Sequence, residues 1–196
     1  MSDPAAFVTR PRPRAGRSIA ELASKLDDEV RAGESTAAVI TGVTHDSRLV
    51  IGGDLYAALP GAQVHGAAFA AQAAAAGAVA VLTDPAGEQL TRDQQLTRDQ
   101  QLPVVVVDDA RRVLGPVASW IYGEPSTRLQ AFGVTGTNGK TTTSYLLEAA
   151  LRHAGETTGL IGTIETRIGD QVLPSVRTTP EATDLQALLA IMVERG

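Results

Sequence analysis

The chain of 196 residues is predicted to be α/β: a small N-terminal α/β domain, then the opening part of a P-loop, mostly parallel α/β domain. Three observations point there. Short apolar, β-branched runs alternate with segments of helical period, as a sheet covered by helices requires. Hydrophobic residues make up 43% and aromatics 4%, which suits Ala/Val/Leu packing rather than disorder. Residues Gly133 to Thr143 read G-V-T-G-T-N-G-K-T-T-T, a glycine-rich turn between an apolar run and a helical pattern.

Residues 1–17, rich in Pro and Arg, read as a disordered leader that could also bind an acidic partner. Ser18 and Glu21 form a capping-box pattern, and Ile19, Leu22, Ala23, Leu26 and Val30 then share one helical face. Strands follow over 38–43 and 54–59, the second closed by Pro60-Gly61. A small-residue helix over 67–76 ends at Gly77. The runs 79–83 and 104–107 read as buried strands of one sheet. A helix over 111–122 carries Gly115-Pro116 as a flaw. Residues 123–126, G-E-P-S, read as a linker, so the domains are expected at 18–127 and 128–196. The hexapeptide QLTRDQ occurs twice in tandem, at 89–94 and 95–100. Its position suggests a surface loop or short exposed helix without a role of its own.

In the second domain Leu129 to Val134 is expected to be a buried strand. Leu147, Ala150, Leu151 and Ala154 mark the helix after the glycine turn, and Gly155 ends it. Residues 158–165 and 166–172 read as strands, with Gly169-Asp170 as a turn. Thr178-Thr179-Pro180-Glu181 opens a helix, a threonine as its cap, and Leu185, Leu188, Leu189 and Met192 form its apolar face. The chain stops at Gly196 where a further strand is expected, so the second domain reads as incomplete.

Several classes are excluded or disfavoured. The net charge of −5 gives no general attraction for nucleic acid. Without cysteine there are no disulfides or thiolate metal sites, and a cytoplasmic location is allowed. No apolar stretch approaches the roughly 20 residues that span a membrane.

Strand, glycine turn, Gly-Lys-Thr and helix is the order that holds a nucleotide's phosphates. Backbone N–H groups and the positive helix end face the anion, and Gly136 and Gly139 let oxygens approach the main chain. Lys140 places a cation on the β/γ oxygens, and Thr141 offers a hydroxyl to Mg²⁺. The commonest form of the motif has a glycine where this chain has Val134; here the glycines fall at 133, 136 and 139. A plain strand-to-helix turn is the alternative.

Three stretches together carry a resemblance. They are T-H-D-S-R-L-V-I-G-G-D-L-Y-A-A-L-P-G (Thr44 to Gly61) with Val64-His65-Gly66, the G-V-T-G-T-N-G-K-T-T-T loop, and G-L-I-G-T-I-E (Gly159 to Glu165) with the later T-T-P (Thr178 to Pro180). The chain resembles the Mur ligase family, ATP-dependent amide-forming enzymes of peptidoglycan synthesis, over nearly all its length from residue 18. The likeness is nearest to the branch that adds the third residue of the stem peptide; the branch that adds the D-Ala-D-Ala dipeptide is the runner-up.

The resemblance implies that residues 18–127 hold the UDP end of UDP-MurNAc-L-Ala-D-Glu, with His45, Ser47, Ala62, Gln63 and Val64 around the nucleotide. Residues Gly136, Thr137, Asn138, Gly139, Lys140, Thr141 and Thr142 would bind ATP, Lys140 as the catalytic cation and Thr141 on Mg²⁺. Thr178 and Thr179 would touch substrate in the central cleft, unless they only cap a helix; Arg177 stands where some relatives have asparagine. Asp46 and Arg48 could be acid/base groups, though an ion pair within a turn suits them better. His65 reads as a loop residue and His153 as a solvated helix end. The implied reaction passes through an acyl phosphate that the amine of meso-diaminopimelate or L-lysine then attacks. Family members continue with a metal-binding glutamate, a histidine, a carbamylated lysine and a C-terminal domain, so this chain alone is expected not to complete ligation. A nucleotide-binding module without catalysis is the reading from another class.

Overall fold

The computed structural model describes residues 10–12, 15–26, 30–31, 38–94, 102–174 and 179–196. The chain divides into two compact units, residues 13–123 and residues 124–196, the latter together with 10–12.

In the first unit the capping box forms as read. Ser18 N–H donates to Glu21 Oε2 at 2.8 Å and Glu21 N–H donates to Ser18 Oγ at 3.1 Å. It opens helix α1 (Ile19–Leu26), which buries Ile19 and Leu22. The helix is shorter than its apolar spacing suggested, because Val30 belongs to a strand instead. Order also begins earlier than Ser18: strand β1 (Arg17–Ser18) pairs antiparallel with β3 (Val39–Ile40). The rest of the leader, 1–9 and 13–14, lies outside the described residues.

The main sheet has the order β2-β7-β6-β5-β4, built from β2 (Val30–Arg31), β4 (Gly42–Thr44), β5 (Asp54–Ala57), β6 (Ala80–Thr83) and β7 (Val104–Val106). Strands β4 to β7 run parallel, and β2 closes one edge antiparallel to β7. Every residue of β5, β6 and β7 is buried, as a parallel sheet covered on both faces demands. The expected single strand over 38–43 is two strands in two sheets. It breaks at Thr41, whose N–H and hydroxyl both turn to the Gly53 carbonyl, at 2.9 and 3.4 Å.

Helix α2 (Ala70–Ala75), after a 3₁₀ turn at Gly66–Phe69, brings Ala67, Ala70 and Ala73 against Tyr56, Val81 and Val104. Helix α3 (Pro85–Asp93) holds the first QLTRDQ copy up to Asp93, with Gln94 as its C-cap. That copy is integrated rather than loose. Leu90 packs on the core, Thr91 is buried, and the Gln94 side-chain amide donates to Ala67 O at 2.9 Å. The second copy lies outside the described residues. Helix α4 (Ala110–Ile121) runs through Pro116 because Leu114, Val117, Ala118 and Ile121 bury one face of it.

The second unit holds α5 (Lys140–His153), the strands β8 (Gly159–Ile161), β9 (Glu165–Ile168) and β10 (Gln171–Pro174), and α6 (Ala182–Glu194). Its strand pairs, among the described residues, are antiparallel, in the order β10-β9-β8. Gly169, at φ +57, starts the β9–β10 turn, the positive-φ position a type II′ hairpin gives to glycine. The expected strand over 129–134 does not form, and Phe132 is 58% exposed. A strand exists only through a ladder, and no described strand lies beside this run.

The helix faces also differ from expectation. In α5 the buried residue is Glu148, not the leucines, and in α6 it is Thr183, Ala187, Ala190 and Ile191. Leu185, Leu188, Leu189 and Met192 are half-buried. Both helices carry apolar residues around most of their surface, so period alone does not choose the inner face.

Candidate functional site

Each unit carries one candidate site. In the first unit the carboxyl ends of β4, β5 and β6 lie at one sheet edge, since the strands are parallel and in register from Thr44↔Tyr56 and Ala57↔Leu82. Loops there are the usual place for a ligand on such a sheet. His45 and Ser47 follow β4. Ala62, Gln63 and Val64 follow β5 and are exposed.

Ser47 is buried at 8% exposure, and its hydroxyl donates to Gln72 Oε1 at 3.2 Å. Asp46 and Arg48 form the local clamp that their spacing suggested. Arg48 Nε and Nη2 meet the two Asp46 carboxylate oxygens at 2.9 and 2.6 Å, and Arg48 N–H donates to Asp46 Oδ1 at 3.0 Å. The guanidinium holds the Asp46 carboxyl below its ordinary range. A carboxylate so paired is an anchor of the turn, not a free base.

Two residues that the sequence reading passed over organise this edge. Tyr56 is 1% exposed and its hydroxyl donates to the Gly66 carbonyl at 2.9 Å. Burial, and then the charge of Asp46, push its phenol up to about 12, while the nearby Ser47 hydroxyl works against them. Arg111, in the first turn of α4, donates from Nη2 to Pro60 O at 3.0 Å. Tyr56 lies within the Thr44 to Gly61 stretch but an apolar-flanked tyrosine in a strand signals only core, and Arg111 lies outside the quoted motifs.

In the second unit the glycine turn leads into α5 through Gly139, the N-cap, at φ +76 with no side-chain capping bond. Thr143 N–H closes the first helical bond on Gly139 O at 2.9 Å, which leaves the N–H groups of Lys140, Thr141 and Thr142 without an intrahelical acceptor. No acidic residue occupies the first turn. A Cβ on Gly139 would meet nothing within 4 Å, so glycine is there for its backbone angle and the space beside the loop is open. Lys140 Nζ donates back to Gly136 O at 2.6 Å, spanning Thr137 and Asn138. The Thr141 hydroxyl faces that of Thr163 at 3.5 Å. Thr163 belongs to the G-L-I-G-T stretch and carried no role in the sequence reading; its place opposite the loop is set by tertiary structure.

That placement has a visible cause. Glu148, 5% exposed, pairs with Arg152 at 3.5 Å and with Arg167 of β9 at 3.3 Å, and accepts from the Thr158 hydroxyl at 3.4 Å. Arg167 also lies over the Tyr145 ring, 4.8 Å from its centroid. These contacts fasten α5 to the β8–β9 strands and so bring Thr163 to the start of the helix.

Thr178 lies outside the described residues, as does Arg177. Thr179 is exposed, two residues ahead of the α6 N-cap, Glu181. It therefore does not cap the helix, contrary to that expectation. No group of three or more His, Cys, Asp or Glu among the described residues could hold a metal.

A parallel α/β unit followed in the chain by a glycine turn, Lys-Thr and helix defines a P-loop α/β protein. Residues 39–122 match the Mur ligase family, catalytic domain, and residues 134–196 match the Mur ligase middle domain. The chain belongs to the Mur ligase family.

It is 57% identical over 178 residues to the UDP-N-acetylmuramoyl-L-alanyl-D-glutamate--2,6-diaminopimelate ligase of Streptomyces coelicolor, with 91% of this chain and 33% of that protein covered. To the UDP-N-acetylmuramyl-tripeptide synthetase of Leifsonia xyli it is 46% identical over 196 residues, with 100% of this chain and 37% of that one covered. Among solved structures, a UDP-N-acetylmuramoyl-L-alanyl-D-glutamate--2,6-diaminopimelate ligase matches with a TM-score of 0.60 and 25% identity, over 92% of this chain and 34% of that chain. MurF from Acinetobacter baumannii shares the fold at a TM-score of 0.54 and 20% identity, over 91% and 33% of the two chains. The chain spans about a third of the length of the curated relatives it matches.

Proposed function

We propose that this chain supplies the nucleotide-binding and ATP-binding parts of a ligase that joins an amino acid to UDP-MurNAc-L-Ala-D-Glu. The amino acid is the third of the stem peptide, 2,6-diaminopimelate or L-lysine; the relatives' names support the former. The observation that carries the reading is the loop at the head of α5. Three backbone N–H groups without intrahelical acceptors, an uncapped helix start and Lys140 converge there.

In this reading residues 18–127 hold the UDP moiety through His45, Ser47 and the exposed loop Ala62, Gln63 and Val64. Residues 128–196 begin the ATP-binding domain. Gly136, Thr137, Asn138, Gly139, Lys140, Thr141 and Thr142 cradle the triphosphate, and Lys140 Nζ leaves the Gly136 carbonyl for the β/γ oxygens. There it stabilises charge on the phosphoryl group as the substrate carboxylate attacks, giving ADP and an acyl phosphate; the incoming amine then displaces phosphate. No side chain needs to act as a nucleophile, because alignment and charge neutralisation carry such chemistry. Thr178 and Thr179 would line the substrate path.

The donors fit Mg²⁺ well. A hard cation that binds through few protein oxygens plus phosphates needs no all-protein cage, and the Thr141 hydroxyl stands exposed beside the loop with the Thr163 hydroxyl near it. Bound there, Mg²⁺ would neutralise the β- and γ-phosphates. No helix among the described residues is long and apolar enough to cross a membrane, in keeping with a proposed cytoplasmic site of action on small-molecule substrates.

Calorimetric titration of the chain with UDP-MurNAc-L-Ala-D-Glu and with a non-hydrolysable ATP analogue tests this. Both are expected to bind, and Lys140→Ala is expected to weaken the ATP analogue at least about tenfold while sparing the UDP ligand. A folded chain that binds neither overturns the reading.

A further inference from the structure

The loop Pro60 to Val64 is exposed, yet its two ends are held with unusual care. Gly66 N–H donates to Leu59 O at 2.8 Å and so closes the base. A side chain at Gly61 would run into the Val64 carbonyl, and one at Gly66 would lie 2.9 Å from Leu59 N, so the chain folds tightly back on itself. At the first end Arg111 grips the Pro60 carbonyl at 3.0 Å. At the other end stands His65. Its Nδ1 accepts the Ala67 N–H at 3.0 Å, capping the turn that follows. A ring nitrogen that accepts carries no proton, so the proton sits on Nε2, which donates to Asp84 Oδ1 at 3.1 Å. The same Asp84 oxygen accepts the Gly87 N–H at 2.8 Å and caps α3. Both side chains are only 15% exposed. Space for the ring depends on Gly87, where a Cβ would fall on Thr83 Oγ1 and 2.6 Å from His65 Cε1.

From this arrangement we infer that His65 and Asp84 are positioning residues for the nucleotide. The imidazole links the end of the loop to the N-cap of α3, and so holds Ala62, Gln63 and Val64 in the shape that meets the UDP moiety. This inference rests on the proposed UDP-binding role of the loop. A plain capping role for each residue would be served by many side chains. Joining the two caps through one ring, in a seat that excludes a Cβ, goes further: it fixes the loop to a rigid element of the sheet. A loop populating its binding shape only part of the time loses affinity in that proportion.

Two substitutions separate capping from tethering. His65→Asn and Asp84→Ser each keep a good N-cap side chain but are too short to reach the other residue. Each is expected to weaken UDP-MurNAc-L-Ala-D-Glu binding about fivefold, with unchanged binding of the ATP analogue. The double variant is expected to be no weaker than either single one, since one link is lost in all three. Asp84→Asn, which keeps an oxygen for both donors, is expected to bind as the unaltered chain does. Amide hydrogen exchange of the ligand-free chain is expected to quicken at 61–64 in the two tether variants and not in Asp84→Asn. Losses that add in the double variant, or unchanged UDP affinity and exchange in the single ones, overturn the inference. If the unaltered chain does not bind the UDP ligand, the functional reading fails, and unchanged exchange would then sink the tether separately.

Discussion

The Tyr56 hydroxyl lies 2.9 Å from the Gly66 carbonyl oxygen, to which it donates. It thereby fastens the middle of a central strand to the far end of the exposed loop. Tyr56→Phe removes this part-buried bond, at a cost of about 1 kcal/mol, readable in urea melts. The pH dependence gives a second check. The phenol is raised from its ordinary 10 to about 12 in the folded chain. A raised value means that the folded state keeps its proton where the unfolded state has lost it. The associated stability is therefore whole below pH 10 and is lost as pH rises through 12. About 1–2 kcal/mol of alkaline destabilisation should vanish in Tyr56→Phe.

Asp46 predicts the opposite slope. Hydrogen bonding to Arg48 lowers its carboxyl from the ordinary 3.8, so its contribution is present above that value and fades as pH falls through the lower, folded one. Asp46→Asn is expected to melt at a lower temperature than the unaltered chain at pH 7, with the gap closing in acid. Thermal melts at pH 7 and at pH 3 compare the two, and a gap that stays constant would refute the assignment.

Gly87 is expected to tolerate no side chain. Gly87→Ala forces a methyl onto the fully buried Thr83 and the His65 ring, with a loss of about 2–3 kcal/mol by overpacking. Gly159→Ala makes a useful contrast. The atoms nearest its Cβ would all belong to the Met192 thioether, which is flexible enough to move, so a loss well under that of Gly87→Ala is expected in the same chemical melts.

Glu148→Leu tests the fastening of α5, the helix that follows the glycine turn. It leaves Arg167 and Arg152 without their buried partner and should cost about 2 kcal/mol. Because Thr163 then loses its fixed place opposite Thr141, affinity for an ATP analogue should fall as well, although Glu148 touches neither hydroxyl. Unchanged nucleotide affinity in a folded variant would show the network to be purely structural.

Residues 124–196 expressed alone are expected to self-associate. Phe132, Leu146, Ile164 and Val172 are all more than half exposed, and exposed large apolar side chains on one small unit favour association where they adjoin. Size-exclusion chromatography with light scattering decides; a monomer with a single cooperative melt would refute this.

How much of this was legible beforehand differs by feature. The glycine turn at the head of α5 could be read from Gly136 and Gly139, because both take the positive φ that such a turn needs. The Ser18–Glu21 box and the buried runs of β5, β6 and β7 were legible for the same reason: short-range sequence dictates them. The strand expected at 129–134 failed, since a ladder needs a neighbour that no local pattern supplies. The split at Thr41 was equally hidden, because Gly53 decides it from 12 residues away.

By itself, then, the sequence determined the local pieces: the Ser18–Glu21 capping box, the glycine turns, the Asp46–Arg48 clamp and the family motifs, all settled by residues within a few positions of one another. Tertiary structure alone decided which groups meet across the chain. Tyr56 with Gly66, His65 with Asp84, Thr141 with Thr163 and Glu148 with Arg167 are 10, 19, 22 and 19 positions apart. Such pairs form only once the sheet has set its register and the helices their inner faces, and helix period could not choose those faces where apolar residues surround the whole helix.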